Sequence, residues 1–145
     1  MLDSGELGEI KGISLNHNAD IESPYNGIYF YACHAAEMTI ELMGSEWRSV
    51  EVSVLDRSNF AAFVKYKNQF ANLIFTVGYN DYFVNVYGTK KNISYRMDMS
   101  DIFDNTMLDF ADRIRNRKIT KSVDGLINNI CLLRAMEQSI KQKYK

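Results

Sequence analysis

The sequence is poor in the residues around which small sites are usually built. It has one proline, Pro24, two cysteines and two histidines. Cys33 and Cys131 lack the CxxC spacing of a zinc site or a dithiol redox motif. Both lie among apolar neighbours in segments of helical pattern, so they are expected as buried, reduced thiols of a cytoplasmic protein. His17 and His34 are far apart and no HExxH occurs, which argues against a multi-histidine metal site. The eight glycines form neither GxGxxG nor a P-loop, so both common phosphate-cradling turns are missing, and there is no GxSxG. Charge of one sign is lacking too. Seventeen basic residues against 18 acidic leave a net charge of -1, without the basic excess of a nucleic-acid-binding face. No apolar run approaches the ~18 residues of a membrane span, and the polar opening Met1 to Glu6 has no signal-peptide character. The expectation is a chain with no metal, no nucleic acid, no membrane and no bound nucleotide cofactor of its own.

What is present is an ordinary globular composition. The 145 residues are 46% hydrophobic and 24% charged, which suits one domain spanning 1–145. A domain of this length buries roughly 70% of the surface its unfolded chain exposes, enough for a core without staples. Glu9 to Asn16 reads as a strand, followed by a polar loop to Gly27. Tyr31 to Met43 reads as a helix, with Ala35, Met38 and Leu42 on one stripe and Gly44 where a C-cap belongs. Strands follow at Trp47 to Leu55, Phe60 to Tyr66, Phe70 to Val77, Tyr82 to Tyr87 and Ile93 to Met97, with a turn over Gly78 to Asp81. Their short connections favour antiparallel neighbours. Phe103, Met107, Phe110 and Ile114 mark a helix from Ser100 to Asn116, capped by Ser100 or Asp101. Leu126, Ile130, Leu133 and Ile140 mark another from Ser122 to Lys143, with Ser122 as N-cap and Asp124 in the first turn. The basic run Arg113, Arg115, Arg117, Lys118 has Asp109 and Asp112 beside it and reads as a solvated helix end. The fold class is therefore α+β, an open, mostly antiparallel sheet of five to six strands with about three helices on one face.

Two patterns bear on function. The middle strands are apolar on both faces: Leu73, Phe75 and Val77 oppose Phe70 and Ile74, and Phe60, Val64 and Tyr66 oppose Ala61 and Phe63. If the helices cover one face, the other suits a partner, most simply a second copy of the chain. On the first helix, His34, Glu37 and Glu41 are spaced i, i+3, i+7 along one side. A carboxylate beside an imidazole fixes its tautomer and favours its protonated form, which is an acid–base arrangement. The same spacing equally describes a polar helix face turned to solvent. Tyr29, Phe30 and Tyr31 precede it and could shape a pocket.

These residues resemble a family. Gly27-Ile-Tyr-Phe-Tyr-Ala-Cys-His34-Ala-Ala-Glu37-Met, closing at Met43-Gly44, is similar to the "GGIxFYGxHxxEM" segment of the glucose–fructose oxidoreductase and inositol dehydrogenase family (Gfo/Idh/MocA). Ser4 to Ile10 resembles its "SGxLGxI" entry strand, Val86 to Lys90 its "VxGTxG" hairpin, and Met107 to Asn116 with Ser122 to Gly125 its closing helix pair. The four stretches keep their order across nearly the whole chain. The resemblance implies the C-terminal, substrate-shaping and dimerising domain of an oxidoreductase acting on a sugar or polyol-like substrate. It implies a homodimer through the open sheet face, and an N-terminal Rossmann half, binding NAD or NADP, that this sequence does not contain. It also implies His34 as catalytic residue and Tyr31, His34 and Glu37 as substrate-binding residues. Many members carry an aspartate four residues before the histidine, where this chain has Phe30, and Glu37 replaces a commoner aspartate. The alternative is a non-catalytic binding or oligomerisation module that kept the fold and lost the chemistry.

Overall fold

Alternate burial defines the strands. In β1 (Ile10–His17), Ile13, Leu15 and His17 are buried while Ser14 and Asn16 are only half-covered. The two-residue period of a strand sends the first set to one face and the second to the other. A computed structural model describes residues 5–78, 81–117 and 123–143 of the chain. After β1 come a short 3-10 turn (Gly27–Tyr29) and α1 (Ala32–Met43), then β2 (Ser49–Asp56), β3 (Asn59–Lys65), β4 (Phe70–Thr76), β5 (Phe83–Gly88) and β6 (Asn92–Arg96). Helices α2 (Ile102–Asn116) and α3 (Val123–Lys143) follow. The α+β class and the six-stranded, mostly antiparallel open sheet agree with the sequence reading.

Strand order is β2-β3-β4-β1-β5-β6, and this differs from a simple succession of neighbours. β1 lies between β4 and β5, parallel to β4 with Leu15 opposite Leu73, and antiparallel to β5 with Ile13 opposite Val86. The short β4–β5 connection therefore passes across the end of β1 instead of making a hairpin. Part of it, residues 79 and 80 of the expected turn, lies outside the described residues.

The core sits between this sheet and two helices. Ile13, Leu15, Val52, Ala62, Val64, Leu73 and Phe75 are buried from the sheet side, and Leu132, Leu133, Met136 and Ile140 from α3. Each large side chain so buried contributes about 1.5–3 kcal/mol. α1 packs against α3, β1 and β4 and buries Ala32, Ala35, Ala36 and Thr39. This stripe is one step round from the expected one, since Met38 and Leu42 are half-covered. Small residues let α1 approach closely, and Thr39 satisfies its hydroxyl by donating to Ala35 O at 2.7 Å. Gly44 caps α1 at φ 80°, where a side chain would be strained. Tyr66 locks that end, its hydroxyl donating to Gly44 O at 3.0 Å, and burial pushes its pKa up to about 12. The edge strand β2 is tied to α3 by Val52 N–H donating to Ser139 Oγ at 2.9 Å.

Two expectations need correction: three helices on one face, and buried cysteines. The spacing of Phe103, Met107, Phe110 and Ile114 does give a helix, but no residue of α2 is buried, and Phe103 is 83% exposed. The first half of α3 is likewise open at Leu126 and Ile130, and only its second half packs. Cys33 and Cys131 are free thiols, but Cys33 is half-covered and Cys131 exposed, because the buried stripe of α3 runs through Leu132, Leu133 and Met136. Asp101 occupies the N-cap position of α2 without a side-chain capping bond, and the Ser122 cap lies outside the described residues.

The sheet's second face carries the expected apolar residues, interleaved with Ser14, Asn72 and Asn85. Phe63 stacks on Phe70 and Phe70 on Tyr87, at ring separations of 5.7 and 6.0 Å, with Phe63 and Ile74 exposed. Gly12 leaves room for this row, since a Cβ there would lie 2.6 Å from the Phe70 ring. Gly88, in the hairpin motif, is tighter. A Cβ there would collide with Leu7 O and come within 2.8 Å of Lys91 O, both backbone atoms. Gly88→Ala is expected to destabilise the fold by about 1–3 kcal/mol, read as a lowered urea midpoint with unchanged slope.

Candidate functional site

The end of β1 and the first turns of α1 meet at a cavity of about 290 Å³. Its lining contains Tyr31, His34, Glu37 and Glu41 from the α1 segment, so the sequence-predicted site residues do come together. The remaining wall was not anticipated. His17 enters from β1, Tyr82 from the start of β5, and Met38, Met97, Met99 and Ile102 supply apolar surface. Among the described residues no Lys or Arg lines it. Phe30 is elsewhere: it packs edge-on to Tyr31 and against Tyr25, over a separate depression near Pro24 and Val77.

The aromatic groups form a connected set. The His17 ring stacks on Tyr82 with centres 4.6 Å apart, and lies 5.5 Å from His34 and 6.5 Å from Tyr31. Tyr31 and His34 are 6.3 Å apart. Tyr82 is held in place through Asn16, the β1 residue beside His17. The Asn16 amide donates to Asp81 O at 2.6 Å and accepts from Phe83 N–H at 2.7 Å, clamping the backbone on both sides of Tyr82. Tyr82 O in turn accepts from Met97 N–H at 2.8 Å, bringing the methionine wall alongside.

The two imidazoles differ in environment. His34 is exposed at the rim, and His17 is 8% exposed. Burial lowers the His17 pKa from its ordinary 6.5. A hydrogen bond to Asn18 opposes this, and the nearby His34 charge adds to it. His17 Nδ1 lies 3.0 Å from Asn18 O. A carbonyl only accepts, so Nδ1 carries the proton of the neutral ring. His17 escaped the sequence reading because it sits alone on a strand, where no spacing ties it to α1. Its one signal was position: it continues the Ile13, Leu15 alternation as a polar residue in an apolar stripe.

No group of three or more His, Cys, Asp or Glu among the described residues has a metal-binding arrangement. NAD or NADP, implied by the resemblance for a longer parent, does not fit the residues present. Its pyrophosphate needs a strand leading through a glycine-rich turn into a helix N-terminus, and none of the described strands does so. No helix among the described residues is long and apolar enough to cross a membrane.

The depressed His17 value has a definite sign in stability. Below pH 6.5 the unfolded chain takes up a proton that folded His17 resists, so the unfolded state binds more protons and stability falls as pH drops. In His17→Phe this component is absent. The loss of stability between neutral pH and the range below 6.5 should be smaller in the variant, measured by urea unfolding at both.

No protein-family model matches the sequence, and no curated protein matches it. Solved structures do. Scyllo-inositol dehydrogenase from Lactobacillus casei matches with a TM-score of 0.78 and 15% identity over 98% of this chain and 56% of that one. The WlbA dehydrogenase from Bordetella pertussis, in complex with NADH and UDP-GlcNAcA, matches with a TM-score of 0.65 and 14% identity over 98% and 56%. GenD2 from gentamicin A biosynthesis, in complex with NAD, matches with a TM-score of 0.74 and 12% identity over 94% and 55%. The chain thus spans a little over half the length of the structures it resembles. At these identities the likeness establishes architecture: the chain has the fold of one part of Gfo/Idh/MocA-type dehydrogenases.

Proposed function

We propose that this chain is the C-terminal, substrate-shaping and dimerising domain of an NAD(P)-dependent oxidoreductase acting on a sugar or polyol-like substrate, and that it is not catalytically complete alone. The observation that carries the reading is the single cavity shared by Tyr31, His34 and Glu37, with His17 behind them. A nicotinamide cofactor, held by a separate Rossmann half, would supply the hydride chemistry. This chain's residues bind, orient and move protons. His34, at the rim, is placed to exchange the proton of a substrate hydroxyl, with Glu37 one helical turn along in the same cavity wall. Tyr31 offers a hydroxyl to a neighbouring oxygen, and the Met38, Met97, Met99 and Ile102 wall takes the substrate's C–H surface. Histidine-to-glutamine substitution at 34 in a full-length parent should lower kcat by about 10²–10⁴-fold, the usual range for a general acid–base group. Unchanged turnover there would remove His34 from the chemistry.

One observation favours the second reading, a non-catalytic module. Phe30 stands where the family's aspartate would be and lies outside the cavity. NAD binding separates neither reading, since both assign the cofactor elsewhere. Tight calorimetric binding of NAD or NADP to this chain would overturn the placement of the cofactor in a missing half.

The homodimer rests on the row Phe63, Phe70, Tyr87 with exposed Ile74 beside it. A charge at its centre would be desolvated on association. Light scattering at tens of micromolar should report a dimer for the native chain and a monomer for Ile74→Glu. A native monomer would defeat the proposal.

A further inference from the structure

Three aromatic side chains meet where the loop after β1 runs into α1. The ring centres of Tyr25 and Phe30 are 4.9 Å apart, and those of Phe30 and Tyr31 4.5 Å. All three line the depression near Pro24 and Val77, a space of about 200 Å³. Each keeps free surface, with Tyr25 68%, Phe30 42% and Tyr31 40% exposed. Their planes are inclined by 36° and 63°, so the rings form a concave set and not a flat stack. The charge beside them has one sign. Asp20 lines the depression, and among the described residues no lysine or arginine does. Arg57 lies 3.4 Å from Asp20 and 3.7 Å from Glu22, so two carboxylates share one guanidinium and the group stays net negative. Both Asp20 oxygens are engaged, Oδ1 by the Glu22 N–H at 2.8 Å and Oδ2 by Arg57. Asp20 therefore offers charge more than it offers a hydrogen bond.

We propose that this depression is a binding site for a quaternary ammonium group of the choline type. Aromatic rings attract a cation that lies within about 6 Å of the ring centre. Neighbouring centres here are closer together than that, so one cation reaches more than one ring. A quaternary nitrogen has no N–H to donate, which suits a carboxylate whose oxygens are already taken. An anion would meet Asp20, and a nucleobase needs a flat face to stack on, which the inclined rings do not provide. The space is smaller than the roughly 300–1,000 Å³ of a pocket enclosing a whole drug-sized ligand, so it takes a head group and leaves the rest of the ligand outside. Tyr31 lines both this depression and the cavity around His34, but His17, His34 and Glu37 line only the latter. The ammonium site is thus independent of the oxidoreductase reading.

The test is nuclear magnetic resonance of the ¹⁵N-labelled chain, titrated with choline and with 3,3-dimethylbutan-1-ol, which has the same shape with carbon in place of the charged nitrogen. Choline should shift the amides of Tyr25 and Phe30 and bind about threefold to tenfold more tightly than the alcohol. Tyr25→Leu and Phe30→Leu, which keep apolar bulk and remove the ring, should each weaken choline by a similar factor and leave the alcohol nearly unchanged. Tyr25→Phe should retain choline binding. Asp20→Asn should weaken choline alone. The amide spectrum of each variant without ligand controls for folding. Equal binding of choline and the alcohol would reduce the depression to an apolar surface and overturn the proposal. Shifts confined to His17, His34 and Tyr82 would overturn it too, as would no shift with choline up to about 10 mM, the range in which a bare head group binds.

Discussion

The two-residue period of β1 governs everything around the site. Because Ile13, Leu15 and His17 share one face, the strand that anchors the core also delivers an imidazole to the end of that core. A slip of one residue would send His17 to the open face and Asn16 inward. Pairing on both sides prevents the slip: β4 in parallel and β5 in antiparallel each fix the register independently. Asn16, on the other face, then reaches the start of β5 and sets Tyr82 against His17. Two consecutive residues of one strand thereby build the inner wall of the cavity from opposite sides of the sheet.

Local patterns made much of the fold legible. Alternation located six strands, and the Ala35 and Gly44 region located α1 with its cap. The doubly apolar strands announced an uncovered face, and Phe63 and Ile74 are exposed there. Periodicity carries no information about what a stripe packs against, however. Phe103, Met107, Phe110 and Ile114 recur at helical spacing, yet none is buried. Strand order was equally hidden. Short connections suggest neighbours, but the insertion of β1 between β4 and β5 is a long-range pairing that no local signal records. The site divides in the same way. His34, Glu37 and Glu41 share a helix face and could be read together, whereas His17 joins them only through the tertiary fold.

The two histidines illustrate how environment separates chemically identical groups. His34 lies at the rim, in contact with water, and His17 lies behind it with its pKa lowered by burial. A cavity that holds one buried imidazole beside an exposed one has two distinct hydrogen-bonding characters within 5.5 Å. Phe30 fits this picture. Turned away toward Tyr25, it adds nothing polar to the cavity, and the polar groups facing the cavity come instead from β1, α1 and the approach to β5.

The strand order also sets the span of the pairings. β1 ends at His17, whereas its two neighbours, β4 and β5, begin only at Phe70 and Phe83. β2, β3 and β4 pair as successive hairpins, while β1 pairs only with strands distant in sequence. Closing that gap brings residues some sixty positions apart together, an entropic cost that local hairpins avoid. The cavity, which needs both His17 and Tyr82, therefore depends on these long-range pairings and not on the local hairpins.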